Sequence, residues 1–491
     1  MSAIRIKNLS FSYGDKTIFD HLNLILDTDW KLALTGRNGR GKTTLLRILC
    51  GELEYAGQIT VGEDFVYFPP KTDESLDALS ALYSAYPALE LWRLKAELSA
   101  LDMQADILDR QFASLSPGEK TRLLAAALFS VEYAFPLIDE PTNHLDAAGR
   151  KKFAAYLKNK RGFLLVSHDR AFLDACCDHV LVLEKEGYEL RGGSFSAWWE
   201  DKQARDSSQR AQNERLKKQI SELEKSARRT SEWAAKTEAS KNEKVSGLKP
   251  DKGHVGAMAA KMARSAKNMQ RRTEKAIEEK SALLKNADFY GELKLPSLPF
   301  RSEKICTVTH ASVKYGDSYA FRDICLCIER GDRIAVSGQN GCGKTSLLRL
   351  VTKELNPSEG SLSMPSDAVI SYLPQDTRSL SGSVFDCAKA HGAPPEIVMA
   401  ILNKLDFRSD LFSKDVSAFS DGQKKKTALA ISLATPAHLY VWDEPLNYID
   451  LVSRIQLEEL ILRSCPTMLF VEHDALFCGH IATKTLFLGN N

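Results

Sequence analysis

No run of about 18 or more apolar residues occurs anywhere in the 491-residue chain, so no segment is suited to crossing a bilayer as a helix. The opening stretch MSAIRIKNLSFSYG alternates apolar and polar residues and lacks the basic start and unbroken apolar run of a secretory leader, so none is expected. Ten cysteines are present but no C-x-x-C pair, and most lie in apolar segments. Neither a disulfide framework nor a zinc site is therefore expected; buried free thiols in a reducing, cytoplasmic setting are. Net charge is also nearly absent, at +2, but the balance is local rather than uniform. Between Lys202 and Asp288, 22 Lys or Arg face 12 Asp or Glu, which gives that stretch +10 and leaves −8 for the rest. An acidic body with a basic middle points to a polyanionic partner met by the middle.

What the chain does contain is an internal repeat. GRNGRGKTT at 36–44 recurs as GQNGCGKTS at 338–346, and LSPGEK at 115–120 as FSDGQK at 419–424. LIDEPTNHLD at 137–146 recurs as VWDEPLNYID at 441–450, and VSHD at 166–169 as VEHD at 471–474. The offset stays between 302 and 305 residues, so the chain is a duplicated domain. Each copy reads as α/β: alternating segments open it, short apolar strands such as KLALTG, FPLID and FLLVSH follow, and each strand ends at a polar cluster. In open parallel sheets, ligands bind at those carboxyl ends. Between the copies, 194–239 has no proline and is dominated by charge. NEKVSGLKPDKGHVG then breaks the pattern before helical composition resumes, which predicts a helical hairpin closed by PSLPF at 296–300. The expected domains are 1–192, a linker over 193–300, and 301–491.

The two G-x-x-x-x-G-K-T matches carry the strongest chemistry. Gly36, Gly39 and Gly41 let the backbone curl so that successive N–H groups face phosphate oxygens. Lys42 offers a point charge to the β- and γ-phosphates of ATP, and Thr43 a hydroxyl to Mg2+. Gly338, Gly341, Gly343, Lys344 and Thr345 repeat the set. A single match could be a chance surface loop; two, each between a short apolar strand and a Leu-rich helix, are not. Asp139 and Asp443 end apolar strands, placed to hold Mg2+ through water, and Glu140 and Glu444 directly after them can orient and deprotonate an attacking water. His168 and His473 stand at another strand end, where a histidine serves structure or, in register with these motifs, the γ-phosphate.

With these motifs in place, the chain resembles the ABC ATPase family over nearly all of 1–192 and 301–491. The resemblance assigns the nucleotide site the whole P-loops, including Asn38, Thr44, Asn340 and Ser346. It makes Ser116, Gly118 and Glu119, and Ser420, Gly422 and Gln423, signature motifs that close on the ATP held by the other domain. Site one would pair Lys42 and Glu140 with Ser420; site two would pair Lys344 and Glu444 with Ser116. Tyr13 and Tyr315 resemble adenine-stacking aromatics, with packing at a strand end as the alternative, and Gln375 resembles the glutamine that reaches Mg2+. The first copy departs from the pattern, with Pro70 where the second has Gln375, and the signatures read SPGE and SDGQ. Glu472 replaces a serine before the second switch histidine. These departures bear on whether the two sites turn over equally.

The implied fold is α/β: two tandem ABC-type nucleotide-binding domains joined by a long α-helical hairpin linker. The implied activity is ATP hydrolysis. The basic hairpin resembles that of the ABC-F class, which enters the ribosomal exit site. An ATPase subunit of a membrane transporter needs no such insertion, and DNA-associated ABC proteins carry longer arms or zinc hooks. Lys42 to Ser116 spans 74 residues and Lys344 to Ser420 spans 76, so the first domain carries no extra arm. GGSFSAWWEDK resembles the linker entry of ABC-F proteins; that spacing and the long linker resemble Vga/Lsa-type antibiotic-resistance proteins, and the stretches KSARRTSEW and GHVGAMAAKMARS resemble the Lsa-like branch. The resemblance implies ribosome protection against lincosamides, pleuromutilins and streptogramin A, with a housekeeping ABC-F translation factor as the alternative. The expected partners are the 70S ribosome, its 23S rRNA and P-site tRNA, met by Lys244, Val245, Leu248, Lys249 and Lys252. No membrane or DNA partner is expected, and the chain is expected to be a cytoplasmic monomer whose two domains pair with each other.

Overall fold

Short apolar runs become parallel strands here because both faces of the sheet are covered, leaving no polar alternation. A computed structural model describes residues 3–14, 16–142, 145–184, 187–239, 295–298, 302–316, 318–339, 341–405 and 407–489, with single positions 264, 268, 271, 272 and 275. In the first half the strands are β1 (Ala3–Tyr13), β2 (Lys16–Asp27), β3 (Lys31–Gly36), β4 (Ala56–Thr60), β5 (Asp64–Phe68), β6 (Ala134–Asp139), β7 (Phe163–Val166), β8 (His179–Leu183) and β9 (Tyr188–Gly192). One sheet runs β5-β6-β7-β3-β8-β9, parallel except for the final pair; a second, antiparallel sheet runs β2-β1-β4.

The second half repeats this plan with β10 (Lys304–Tyr315), β11 (Ser318–Glu329), β12 (Arg333–Gly338), β13 (Glu359–Ser363), β14 (Ile370–Leu373), β15 (Leu439–Asp443), β16 (Met468–Val471) and β17 (Lys484–Leu488). Its parallel sheet runs β14-β15-β16-β12-β17 and its antiparallel sheet β11-β10-β13. The α/β reading thus holds for both halves.

The core places the sites. Ile4, Ile6, Leu24 and Leu26 of the antiparallel sheet meet Leu45, Leu46 and Ile48 of the helix Lys42–Leu49, and Leu32, Leu34, Leu137 and Leu164 of the parallel sheet, in one buried cluster. Each fully buried leucine there contributes about 1.5–3 kcal/mol. In the second half, alternate residues of β15 serve two cores: Leu439 and Val441 face the antiparallel sheet, while Tyr440 and Trp442 face the helices. Both glycine-rich loops are therefore anchored on a strand and a helix that share a core.

The segment from Phe195 to Ala239 is a single 45-residue helix, about 68 Å long at 1.5 Å per residue. The expected loop and most of the second arm lie outside the described residues, and so do Lys244, Val245, Leu248, Lys249 and Lys252. All ten cysteines are free, but only four are buried. Cys325 faces outward on the half-exposed hairpin strand β11, and Cys465 caps a helix, so an apolar neighbourhood in sequence did not ensure burial.

Candidate active site

Gly41 and Gly343 begin the two P-loop helices in the left-handed region, at φ 92° and 90°. A Cβ on Gly41 would lie 2.6 Å from the Ile18 side chain, and on Gly343 2.5 Å from the Ala320 carbonyl, so only glycine fits. Lys42 Nζ turns back to donate to the carbonyls of Gly36 at 2.7 Å and Arg37 at 3.2 Å. Lys344 Nζ does the same to Gly338 at 2.9 Å and Gln339 at 2.8 Å. Burial lowers the Lys42 ammonium below its ordinary range, with Asp450, Glu140 and Asp139 opposing that shift. Asn38 Nδ2 donates to the carbonyl of Tyr448, in the other half of the chain, at 3.1 Å. Asn340 lies outside the described residues.

The carboxylates follow from the strand ends. Thr43 Oγ1 donates to Asp139 Oδ2 at 2.9 Å, and the Tyr67 hydroxyl donates to the same oxygen at 3.1 Å. Burial raises Asp139 and pushes Asp443 up to about 6, the Thr345 hydroxyl partly opposing the latter. Glu140 and Glu444 both take φ near +49° (48° and 49°), and their N–H groups donate to Val166 and Val471 on the neighbouring strand. The side chains approach the switch histidines. His168 Nε2 lies 3.3 Å from Glu140 Oε1, and His473 Nε2 3.6 Å from Glu444 Oε1.

The two glutamates differ electrostatically. Burial, reinforced by Asp139, pushes Glu140 up to about 7. Burial would also raise Glu444, but the His473 ring and the Gln375 amide outweigh it and hold that carboxyl below its ordinary range. Gln375 Nε2 donates to Glu444 Oε2 at 3.0 Å and Asn447 Nδ2 donates to it at 2.6 Å.

Ser116 and Ser420 cap helices Pro117–Leu128 and Asp421–Ala434. Each exchanges hydrogen bonds with the residue three places on, Glu119 and Gln423. Pro117, Leu145 and Arg150 of the first half help line a cleft of about 670 Å³ that holds Gly341, Gly343, Lys344, Thr345, Ser346, Gln375, Glu444 and His473 of the second. Tyr315 lines the same cleft, and its hydroxyl lies 3.3 Å from Ser346 Oγ. Tyr13 and Tyr315 are 47% and 50% exposed, so neither is a core packing residue. Tyr13 sits edge-on to Phe11.

Arg150, Arg454, Lys425, Lys426 and Asp450 also stand at the site, although the sequence motifs assign them no role. Arg454 donates to the carbonyls of Leu446 and Ile449, both at 2.9 Å, and its charge acts on Glu140 and His168 of the other half. The arginines sit four places after Asp146 and Asp450 in the repeat, a register match that could have identified them.

Residues 19–143 and 321–447 each match the profile of the family described as ABC transporter. The chain belongs to that family. It is an ATP hydrolase with two tandem ABC-type domains, and ABC domains of this kind bind ATP. "Ribosome protection protein VmlR" of Bacillus subtilis (strain 168) is 27% identical across 99% of this ABC ATPase and 87% of its own length. "ABC transporter F family member 2" of Arabidopsis thaliana is 26% identical across 99% of the chain and 75% of its own. The likeness runs through both domains and the linker. A chain in the crystal structure of the complex of archaeal ribosomal stalk protein aP1 and archaeal ribosome recycling factor aABCE1 matches with a TM-score of 0.63. It is 20% identical over 98% of this chain and 87% of that one, a likeness of fold. No helix among the described residues is long and apolar enough to cross a membrane.

Proposed function

We propose that this ATPase is of the F class, enters the exit site of the 70S ribosome and protects the peptidyl-transferase centre from lincosamides, pleuromutilins and streptogramin A. The observation that carries the reading is the 45-residue charged helix leaving directly after β9, in a chain similar along nearly its whole length to a ribosome protection protein. The domains would be 1–192 and 301–491, with 193–300 as the linker. The loop near 243–254, with Lys244, Val245, Leu248, Lys249 and Lys252, would meet 23S rRNA and P-site tRNA, where basic residues neutralise phosphate. The protein would act as a cytoplasmic monomer, with neither membrane nor DNA as a partner.

ATP would be held by Tyr13 and the P-loop of 36–44 in site one, and by Tyr315 and the P-loop of 338–346 in site two. Ser420, Gly422 and Gln423 would close site one; Ser116, Gly118 and Glu119 would close site two. The donors suit a hard divalent cation: the Thr43 hydroxyl and Asp139 carboxylate lie 2.9 Å apart, and a nearby cation would return the buried Asp443 to its ordinary range. Thr43 and Asp139, and Thr345, Gln375 and Asp443, would hold Mg2+, which when bound neutralises phosphate charge. Glu140 and Glu444 would orient and deprotonate water, with His168 and His473 at the γ-phosphate.

Expression in a drug-sensitive bacterium tests this reading; resistance to lincosamides or pleuromutilins is expected to rise. Unchanged resistance would favour a housekeeping translation factor. The E140Q/E444Q double variant should accumulate on 70S ribosomes, and co-sedimentation no better than wild type would remove the ribosome from the picture. Stable co-purification with an integral membrane protein would favour a transporter subunit.

A further inference from the structure

The two halves of the repeat differ at three buried positions beside the catalytic carboxylates, and they differ together. Thr121, Thr142 and Ser167 in the first half correspond to Lys425, Leu446 and Glu472 in the second, and all six are buried. The first set is neutral and locally satisfied: Thr121 Oγ1 donates to Pro117 O at 3.0 Å, and the hydroxyls of Thr142 and Ser167 lie 3.3 Å apart. The second set contains a buried cation and a buried anion. Lys425, 2% exposed, donates from Nζ to Pro374 O at 2.9 Å and to Asp443 O at 2.8 Å. Glu472 accepts from the N–H groups of Leu446 at 3.1 Å and His473 at 2.7 Å, and its charge, with those of Asp443 and Glu444, partly offsets the burial of the Lys425 ammonium.

The placement of those two carbonyls is informative. Pro374 immediately precedes Gln375, and Asp443 immediately precedes Glu444, so one ammonium ties together the backbones that carry both side chains. Gln375 and Glu444 are then joined at 3.0 Å. The first half has Pro70 in place of Gln375 and a neutral threonine in place of the lysine, so it has neither the strap nor the amide contact. Burying a lysine is costly unless carboxylates and acceptors compensate it, and threonine satisfies its own helix at the same position without that cost.

We propose that Lys425 is a positioning residue for the second ATP site alone, strapping Gln375 against Glu444 so that this site hydrolyses faster than the first. The inference rests on reading Glu140 and Glu444 as the water-activating carboxylates. A glutamate held in one orientation spends more time in the reactive geometry, which raises kcat rather than nucleotide affinity.

The test measures steady-state ATPase of the full chain in two backgrounds: E140Q, where only the second site works, and E444Q, where only the first does. K425T should lower kcat about tenfold in E140Q, with KM for ATP within threefold, and this loss should be at least five times the loss in E444Q. K425R, which keeps the charge and donors, should recover most of the lost kcat. Adding Q375A to K425T should cost little more than either change alone, because both act on one contact. Equal losses in the two backgrounds, a change mainly in KM, or full additivity would overturn the proposal. Should K425T fail to fold, Q375A alone carries the same expectation of a loss confined to E140Q. If neither single glutamine variant lowers ATPase activity, the carboxylate reading fails before Lys425 is touched.

Discussion

Lys426 and Asp450 meet 3.1 Å apart with almost no exposure to water, and Lys426 Nζ also donates to Leu405 O at 2.8 Å. Burial by itself would raise Asp450, but the Lys426 ammonium holds its carboxyl well below the usual carboxylate range. A depressed native pKa contributes stability that is present above the unfolded value near 4 and is lost as pH falls below it. D450N should therefore destabilise the protein at neutral pH by about 3–5 kcal/mol, the usual consequence of leaving one buried charge unpaired. Asparagine can still cap the helix Leu451–Ser464, so a melting curve would isolate the charge. At the same scale, E140Q/E444Q should lower ATPase turnover by about 10²–10⁴-fold while ATP binding persists, as measured by nucleotide titration. The P-loop residues and the Asp-Glu pairs were legible because phosphate and metal chemistry restricts residue type at fixed spacing. Lys425 was not, because lysine is ordinary on helix surfaces and only the packed fold shows it buried.

Among the elements, the two signature helices are held at their starts by reciprocal caps. Removing a serine cap costs about 1 kcal/mol, so S116A and S420A should each lower Tm slightly, and larger losses of ATPase would reflect work at the nucleotide rather than stability. The helix Phe195–Ala239 was legible from its lack of proline and glycine and from its charge. Deleting 243–254 should leave ATPase activity intact and abolish drug protection, measured as resistance of the expressing strain. The parallel strands were readable as unbroken apolar runs. That Tyr440 and Trp442 serve one core while Val441 serves another was not, because in a strand buried on both faces hydrophobicity alone does not tell them apart.

Across the whole molecule, the halves exchange contacts that no local pattern records. Asn38 reaches Tyr448, and Arg150 and Asp169 pair at 3.0 Å where the Asp169 charge also acts on Asp474 of the other half. Burial, with Asp169 adding to it, pushes Asp474 up to about 6. A raised native pKa contributes stability that is fully present below the unfolded value and is lost as pH rises through about 6. Melting temperatures from pH 4.5 to 7.5 should show this decline in wild type, and D474N should make it shallower, with Asp443 and Glu140 supplying the remainder.

The sequence by itself determined the duplication, the α/β plan, the nucleotide chemistry and the charged arm, because each depends on local spacing or on composition. The sequence also marked Pro70 and Glu472 as departures between the copies, but only the tertiary structure decided that Lys425, Glu472 and Gln375 gather around Glu444, with no matching set around Glu140. Those residues lie between 19 and 97 positions apart in the chain. Their partnership follows from strands β14, β15 and β16 ending side by side, which is settled by packing rather than by any pattern along the sequence.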